Sequence, residues 1–157
     1  MRPFPANPPP DDGDDGPCGP AWSALAMSAE RLPEHVRTLR TTVRVWLHRV
    51  CLMPEDRADA VLLLISELAG NTVRHGTGPT LACRAWSTGA GLLRIEIDDP
   101  TRERVPRART APLLAESGRG LFLVNAFVRE LGGAWGHYDG GVTAWCEFPL
   151  TAGPSAA

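Results

Sequence analysis

Hydrophobic positions along the chain fall into two rhythms. From Pro33 to about Val50, Val36, Leu39, Val43, Trp46, Leu47 and Val50 recur at helical spacing, with Arg37, Arg40 and Arg44 on the other side. Pro33 suits the first turn of that helix. A second helix opens at Pro54, Glu55 and Asp56, where proline fits the first turn and the acids fit the positive end of the dipole. It carries Val61, Leu62, Leu64, Ile65, Leu68 and Val73, and ends near His75-Gly76, where glycine is expected to take a left-handed cap. A third helix is expected over 118–131, with Leu121, Leu123, Val124, Phe127, Val128 and Leu131 as its apolar set.

Between these segments the period drops to two. Leu93, Ile95 and Ile97 alternate with Arg94, Glu96 and Asp98, which predicts a half-buried strand over 92–98. Its hairpin partner is expected over 80–87, joined through Thr88-Gly89-Ala90-Gly91. A closing hairpin is expected from 134–138 and 142–150 around Asp139-Gly140-Gly141. A weaker alternation over 22–27 marks a possible first strand. Residues 100–117 are too long and aperiodic for an ordinary connection, which points to a functional loop or lid. The order predicts an α+β fold, a two-layer α/β sandwich with a mostly antiparallel sheet and three helices on one face.

Composition narrows the picture. The 157 residues suit one domain. Residues 1–20, rich in Pro, Asp and Gly, read as a disordered tail; 21–150 form the domain, and 151–157 a short tail. A net charge of −2 gives no basic surface for nucleic acid. All 16 basic residues are arginine, so a P-loop lysine or a protein-kinase-fold lysine is ruled out. No apolar run is long enough to cross a membrane, and no signal-peptide pattern begins the chain, so a cytoplasmic location is expected. Cys18, Cys51, Cys83 and Cys146 form no CxxC pair and are expected to be free thiols.

Three features carry candidate chemistry. Glu67, Asn71 and His75 stand four apart, in one row on the second helix. Such a row suits either an exposed polar face or a ligand that satisfies its charge and hydrogen bonds. Asp98-Asp99 closes a strand, where a carboxylate can accept from an exocyclic amine. Gly118-Arg119-Gly120-Leu121 opens a helix, whose free N–H groups favour anions.

In order, SELAGNTVRHG, IEIDDP, ESGRGLFLVNAF and GGVTAWCEF resemble the successive nucleotide boxes of the gyrase, heat-shock chaperone, histidine kinase and mismatch-repair ATPase superfamily (GHKL, the Bergerat fold). The likeness covers roughly 21–150 and is nearest to stand-alone bacterial anti-sigma-factor serine/threonine kinases. It implies that ATP and Mg2+ are bound. Glu67 would be the catalytic acid/base and Asn71 the Mg2+ ligand. His75 and Gly76 would lie near the phosphates, and Asp99 would read the adenine amine. Gly118, Arg119, Gly120, Leu121 and Phe122 would form the phosphate-holding glycine box, with Thr143 a hydroxyl near adenine. The implied partners are a sigma factor, an anti-anti-sigma protein as phosphate acceptor, and a second copy in a homodimer. A non-catalytic, nucleotide-gated binding module is the other reading. One departure stands out: where the superfamily has D-x-G-x-G, Asp99 is followed by Pro100-Thr101-Arg102-Glu103. Both lid glycines are absent, and the segment carries Arg102, Arg104, Arg107 and Arg109 as candidate phosphate contacts.

Overall fold

A computed structural model describes residues 24–88, 91–98, 118–138 and 143–151. The proposed tail 1–20, the lid 100–117, Asp99 and the turn at 139–142 lie outside the described residues.

Among the described residues, five strands and three helices follow in the order β1 (Leu25–Glu30), α1 (Pro33–Arg49), α2 (Glu55–His75), β2 (Thr80–Ser87), β3 (Leu92–Asp98), α3 (Gly118–Glu130), β4 (Ala134–Tyr138) and β5 (Thr143–Pro149). The sheet runs β1-β2-β3-β5-β4, and each of these pairs is antiparallel. This is the expected two-layer α+β architecture. Strand β1 begins at Leu25 rather than Trp22, because pairing with Thr80–Ala85 sets its span and its own weak alternation does not.

Alternation sorts the sheet into two faces. Met27, Leu81, Cys83, Ala85, Leu93, Ile95, Ile97, Ala144, Cys146 and Phe148 join one core with Leu39, Val43 and Leu47 of α1, Val61, Leu64, Ile65 and Leu68 of α2, and Val124 and Val128 of α3. Helix α2 packs against both α1 and α3, so it is the central rib of the helical layer. Trp46 is 6% exposed and belongs to this core.

The other face of the sheet is polar yet closed. Glu96 is only 3% exposed, held by Arg84 at 3.0 Å and Arg94 at 3.2 Å. The Arg94 guanidinium also lies over the Trp145 ring, 4.2 Å from its centroid. A buried carboxylate needs such partners, because desolvation of an unpaired charge costs several kcal/mol.

The glycines that follow α3 and α2 differ, and the left-handed cap expected at Gly76 is not formed. Gly132, after α3, takes the left-handed conformation with φ 73°. Gly76, after α2, does not: its φ is −64° and its ψ 157°. The carbonyls at that helix end are met differently. Arg31 donates from Nη1 to Val73 O at 2.7 Å and from Nε to Gly78 O, while Arg31 N bonds Pro79 O at 2.8 Å. A side-chain cation on the last turn replaces the glycine cap.

Candidate functional site

Helices α2 and α3 bring the first two boxes face to face. Glu67 and Asn71 are half-buried on α2, one turn apart. Gly120, in the first turn of α3, sits directly across from them. A Cβ at Gly120 would stand 3.0 Å from Glu67 Oε2, 3.8 Å from Asn71 Oδ1 and 4.0 Å from Asn71 Nδ2. Only a residue without a side chain lets the α3 backbone come this near the carboxylate and carboxamide. Val124 and Val128 follow Gly120 at helical spacing and are buried, so this side of α3 is anchored in the core.

The electrostatics of the junction are mixed by design. Glu67 brings a carboxylate. The first turn of α3 brings backbone N–H groups that have no partner within the helix, and it contains no acidic residue. A ligand with anionic oxygens on one side and a cation on the other satisfies both. The protein donors here, a carboxylate and a carboxamide oxygen, are hard oxygen atoms of the kind Mg2+ takes. Among the described residues no three His, Cys, Asp or Glu side chains surround one point. A metal between α2 and α3 would therefore share its shell with phosphate and water oxygens, which is how Mg2+ is usually held beside nucleotides.

One further group reaches this junction. Arg74 donates from Nη2 to Asn71 Oδ1 at 2.7 Å, running back along α2 over Gly70. The sequence reading missed it, although spacing of three on a helix places the two side chains together.

The remaining expected residues sit elsewhere. His75 is exposed one turn beyond Asn71, and Gly76 packs against Arg31, whose Cδ would be 3.0 Å from a Cβ there. Gly118, Arg119 and Leu121 belong to the first turn of α3. Phe122 is 71% exposed, on the side of α3 away from Gly120. Thr143 is buried, but alternation along β5 puts Ala144, Cys146 and Phe148 toward the helices and Thr143 with Trp145 and Glu147 on the other face. The structure thus unites Glu67, Asn71 and the start of α3, and leaves Thr143 and Phe122 off that junction. Asp98 faces Arg84, with Oδ2 3.2 Å from Nη2, on the polar side of the sheet. The sequence register gave the adenine role to Asp99 rather than to this residue.

Comparison with known proteins bears on this geometry. The sequence model of the family described as histidine kinase-like ATPase domain matches residues 29–144, well over half of the chain and all of the elements just described except parts of β1 and β5. The chain belongs to the histidine kinase-like ATPase domain family. No curated protein matches it. Among solved structures, this ATPase domain is similar to the RsbU and RsbW domains of Rv1364c from Mycobacterium tuberculosis, with a TM-score of 0.57 and 23% identity. That match covers 80% of this chain and 32% of the other, so the ATPase domain spans about a third of that neighbour's length. It is also similar to the histidine kinase domain of the blue-light activated histidine kinase EL346 from Erythrobacter litoralis, with a TM-score of 0.47, 18% identity, and coverage of 77% of this chain and 61% of the other. The first likeness speaks to the shared fold. No helix among the described residues is long and apolar enough to cross a membrane.

Proposed function

We propose that this ATPase domain binds Mg·ATP between α2 and the start of α3 and acts as an anti-sigma-factor-type serine/threonine protein kinase on an anti-anti-sigma protein. The observation that carries the reading is the approach of Gly120 to Glu67 Oε2 and the Asn71 carboxamide. In this reading the N–H groups at the start of α3, from Gly118 to Leu121, hold the phosphates. Asn71 Oδ1 holds Mg2+, which supplies charge neutralisation on the phosphates when bound. Glu67 accepts the proton of the acceptor serine as its oxygen attacks the γ-phosphorus, the bond to the bridging oxygen breaks, and ADP leaves. Asp99 is assigned to the adenine amine, and His75 and Gly76 to the phosphate end of α2. Thr143 is left out of this assignment, because it faces the other side of the sheet. The likeness to a protein with an RsbW domain supports the choice of a regulatory kinase; a sigma factor is assigned as second partner and a second copy as homodimer partner.

The test is calorimetry with ATP and Mg2+, followed by labelled phosphotransfer. The wild type is expected to bind. Asn71→Ala is expected to lose at least about tenfold in metal-dependent affinity, the range seen when a ligand shell is disturbed. Glu67→Gln is expected to keep binding and to lose transfer by about 10²-fold or more, the usual contribution of a general base. Absence of ATP binding by the wild type would overturn the proposal. The second reading, a nucleotide-gated binding module without catalysis, is favoured by Thr101 and Glu103 standing where the lid glycines are expected. It predicts binding without transfer in every variant.

A further inference from the structure

The Arg74–Asn71 hydrogen bond places a resident cation on the one side-chain oxygen assigned to the metal. Arg74 Nη2 reaches Asn71 Oδ1 at 2.7 Å, so a metal ion on that oxygen would lie beside the guanidinium charge. Spacing of three on a helix brings the two side chains together, but it does not by itself fix a hydrogen bond of this length. A basic residue in the last turn of α2 is already well placed by the helix dipole and could extend into solvent. Instead the side chain folds back toward the N-terminal end of the helix. It passes over Gly70, where a Cβ would stand in ordinary contact, 3.4 Å from Nη1 and 3.7 Å from Nη2. The guanidinium therefore lies along α2 on a shelf without a side chain and ends on the carboxamide.

We propose that Arg74 is a latch on Asn71, a positioning residue that must leave the amide oxygen before a divalent cation can take it. The proposal rests on the metal-ligand role given to Asn71 above. Without a metal ion the guanidinium supplies a positive charge at Asn71 Oδ1 and holds the carboxamide in one orientation. On metal loading the hydrogen bond is exchanged for a metal–oxygen contact. No covalent bond changes and no proton moves. The latch raises the metal concentration that nucleotide binding needs, because each metal ion must displace an internal cation held at short range.

The experiment titrates Mg2+ at a fixed concentration of a fluorescent ATP analogue, and reads the free metal concentration at half-maximal binding of the analogue, with displacement by ATP as the control for site. Arg74→Met keeps length and apolar stem but has neither charge nor donor, and Arg74 is exposed, so folding is preserved and is checked by circular dichroism. The half-maximal Mg2+ concentration is expected to fall by about two- to tenfold, the equivalent of one net hydrogen bond. Arg74→Lys retains a cation and a donor and is expected to stay near the wild-type midpoint. The same titration at about 0.5 M salt separates contact from field, since screening at that strength removes long-range charge effects. An unchanged midpoint in Arg74→Met overturns the latch while leaving ATP binding intact. A shift that disappears in high salt also overturns it, because it marks only a change of net charge. If the wild type binds no ATP with or without metal, the functional reading fails and the latch fails with it.

Discussion

At the scale of single residues, burial decides chemistry more sharply than sequence context does. Cys83 is 1% exposed, on the core side of β2. Burial, with the charge of Asp98 adding and that of Arg84 opposing, pushes its thiol from an ordinary 9.0 up to about 12. Cys51 is pushed up to about 11 by burial, and Cys146 is raised still further. These thiols are poor nucleophiles near neutrality, as the free-thiol expectation requires. The native state holds the Cys83 proton where the unfolded chain has lost it. The sign of the pH effect follows: below pH 9 the group contributes nothing, and between about 9 and 12 stability falls as pH rises. From pH 8 to pH 10 the loss from this one thiol is about 1.4 kcal/mol. Urea unfolding of wild type and Cys83→Ala at both pH values checks it. The stability gap between the two proteins should narrow by that amount at pH 10, and a constant gap would show that the thiol is not held protonated.

At the scale of elements, glycines with the same sequence appearance have opposite roles. Gly70 lies inside α2 and meets only the flexible end of Arg74. Gly133 follows α3, where a Cβ would fall 2.1 Å from Glu147 O and 2.7 Å from Phe148 Cβ, atoms of a strand that cannot retreat. Gly70→Ala should therefore stabilise the fold by about 0.5–1 kcal/mol through helix propensity. Gly133→Ala should cost about 1–3 kcal/mol through overpacking. Thermal unfolding of the two variants gives the signs directly, and a destabilised Gly70→Ala would mean that the helix needs the Arg74 shelf for its own stability. This contrast also shows what the sequence revealed. Both interior hairpin strands and all three helices were legible, because Leu93, Ile95 and Ile97, or Leu64, Ile65 and Leu68, state their period locally. The pairing of Glu67 with Asn71 was legible from spacing alone. What was hidden depends on contacts distant in sequence. The extended backbone of Gly76 answers to Arg31, which arrives from the end of β1. The burial of Glu96 answers to Arg84 on the neighbouring strand. The face occupied by Thr143 could have been read from Ala144, Cys146 and Phe148, whose inward alternation sends Thr143 outward.

At the scale of the whole molecule, α2 links a structural end to a functional one. Near its start Arg57 donates from Nη2 to Leu131 O at 3.0 Å and to Pro149 O, which ties α2 to the ends of α3 and β5. Burial lowers the Arg57 pKa below its ordinary value, with the nearby Asp56 charge opposing, and its Nε is buried without a hydrogen-bond partner among the described residues. The side chain is therefore committed to these two carbonyls despite a desolvation cost. Arg57→Met would leave both acceptors without their donor and should cost about 2–4 kcal/mol. Arg57→Lys, with one compact ammonium, should recover only part of that. Asn71 lies 14 residues further along the same helix, about 21 Å at 1.5 Å per residue. Nucleotide binding should accordingly be insensitive to the tie, so long as the protein is folded. Arg57→Met, measured well below its lowered melting temperature, should bind Mg·ATP within about twofold of wild type, since sites this far apart without shared partners act nearly independently. A much larger loss of affinity at full folding would show that α2 moves as one lever, and that the end anchored by Arg57 sets the position of Glu67 and Asn71 against Gly120.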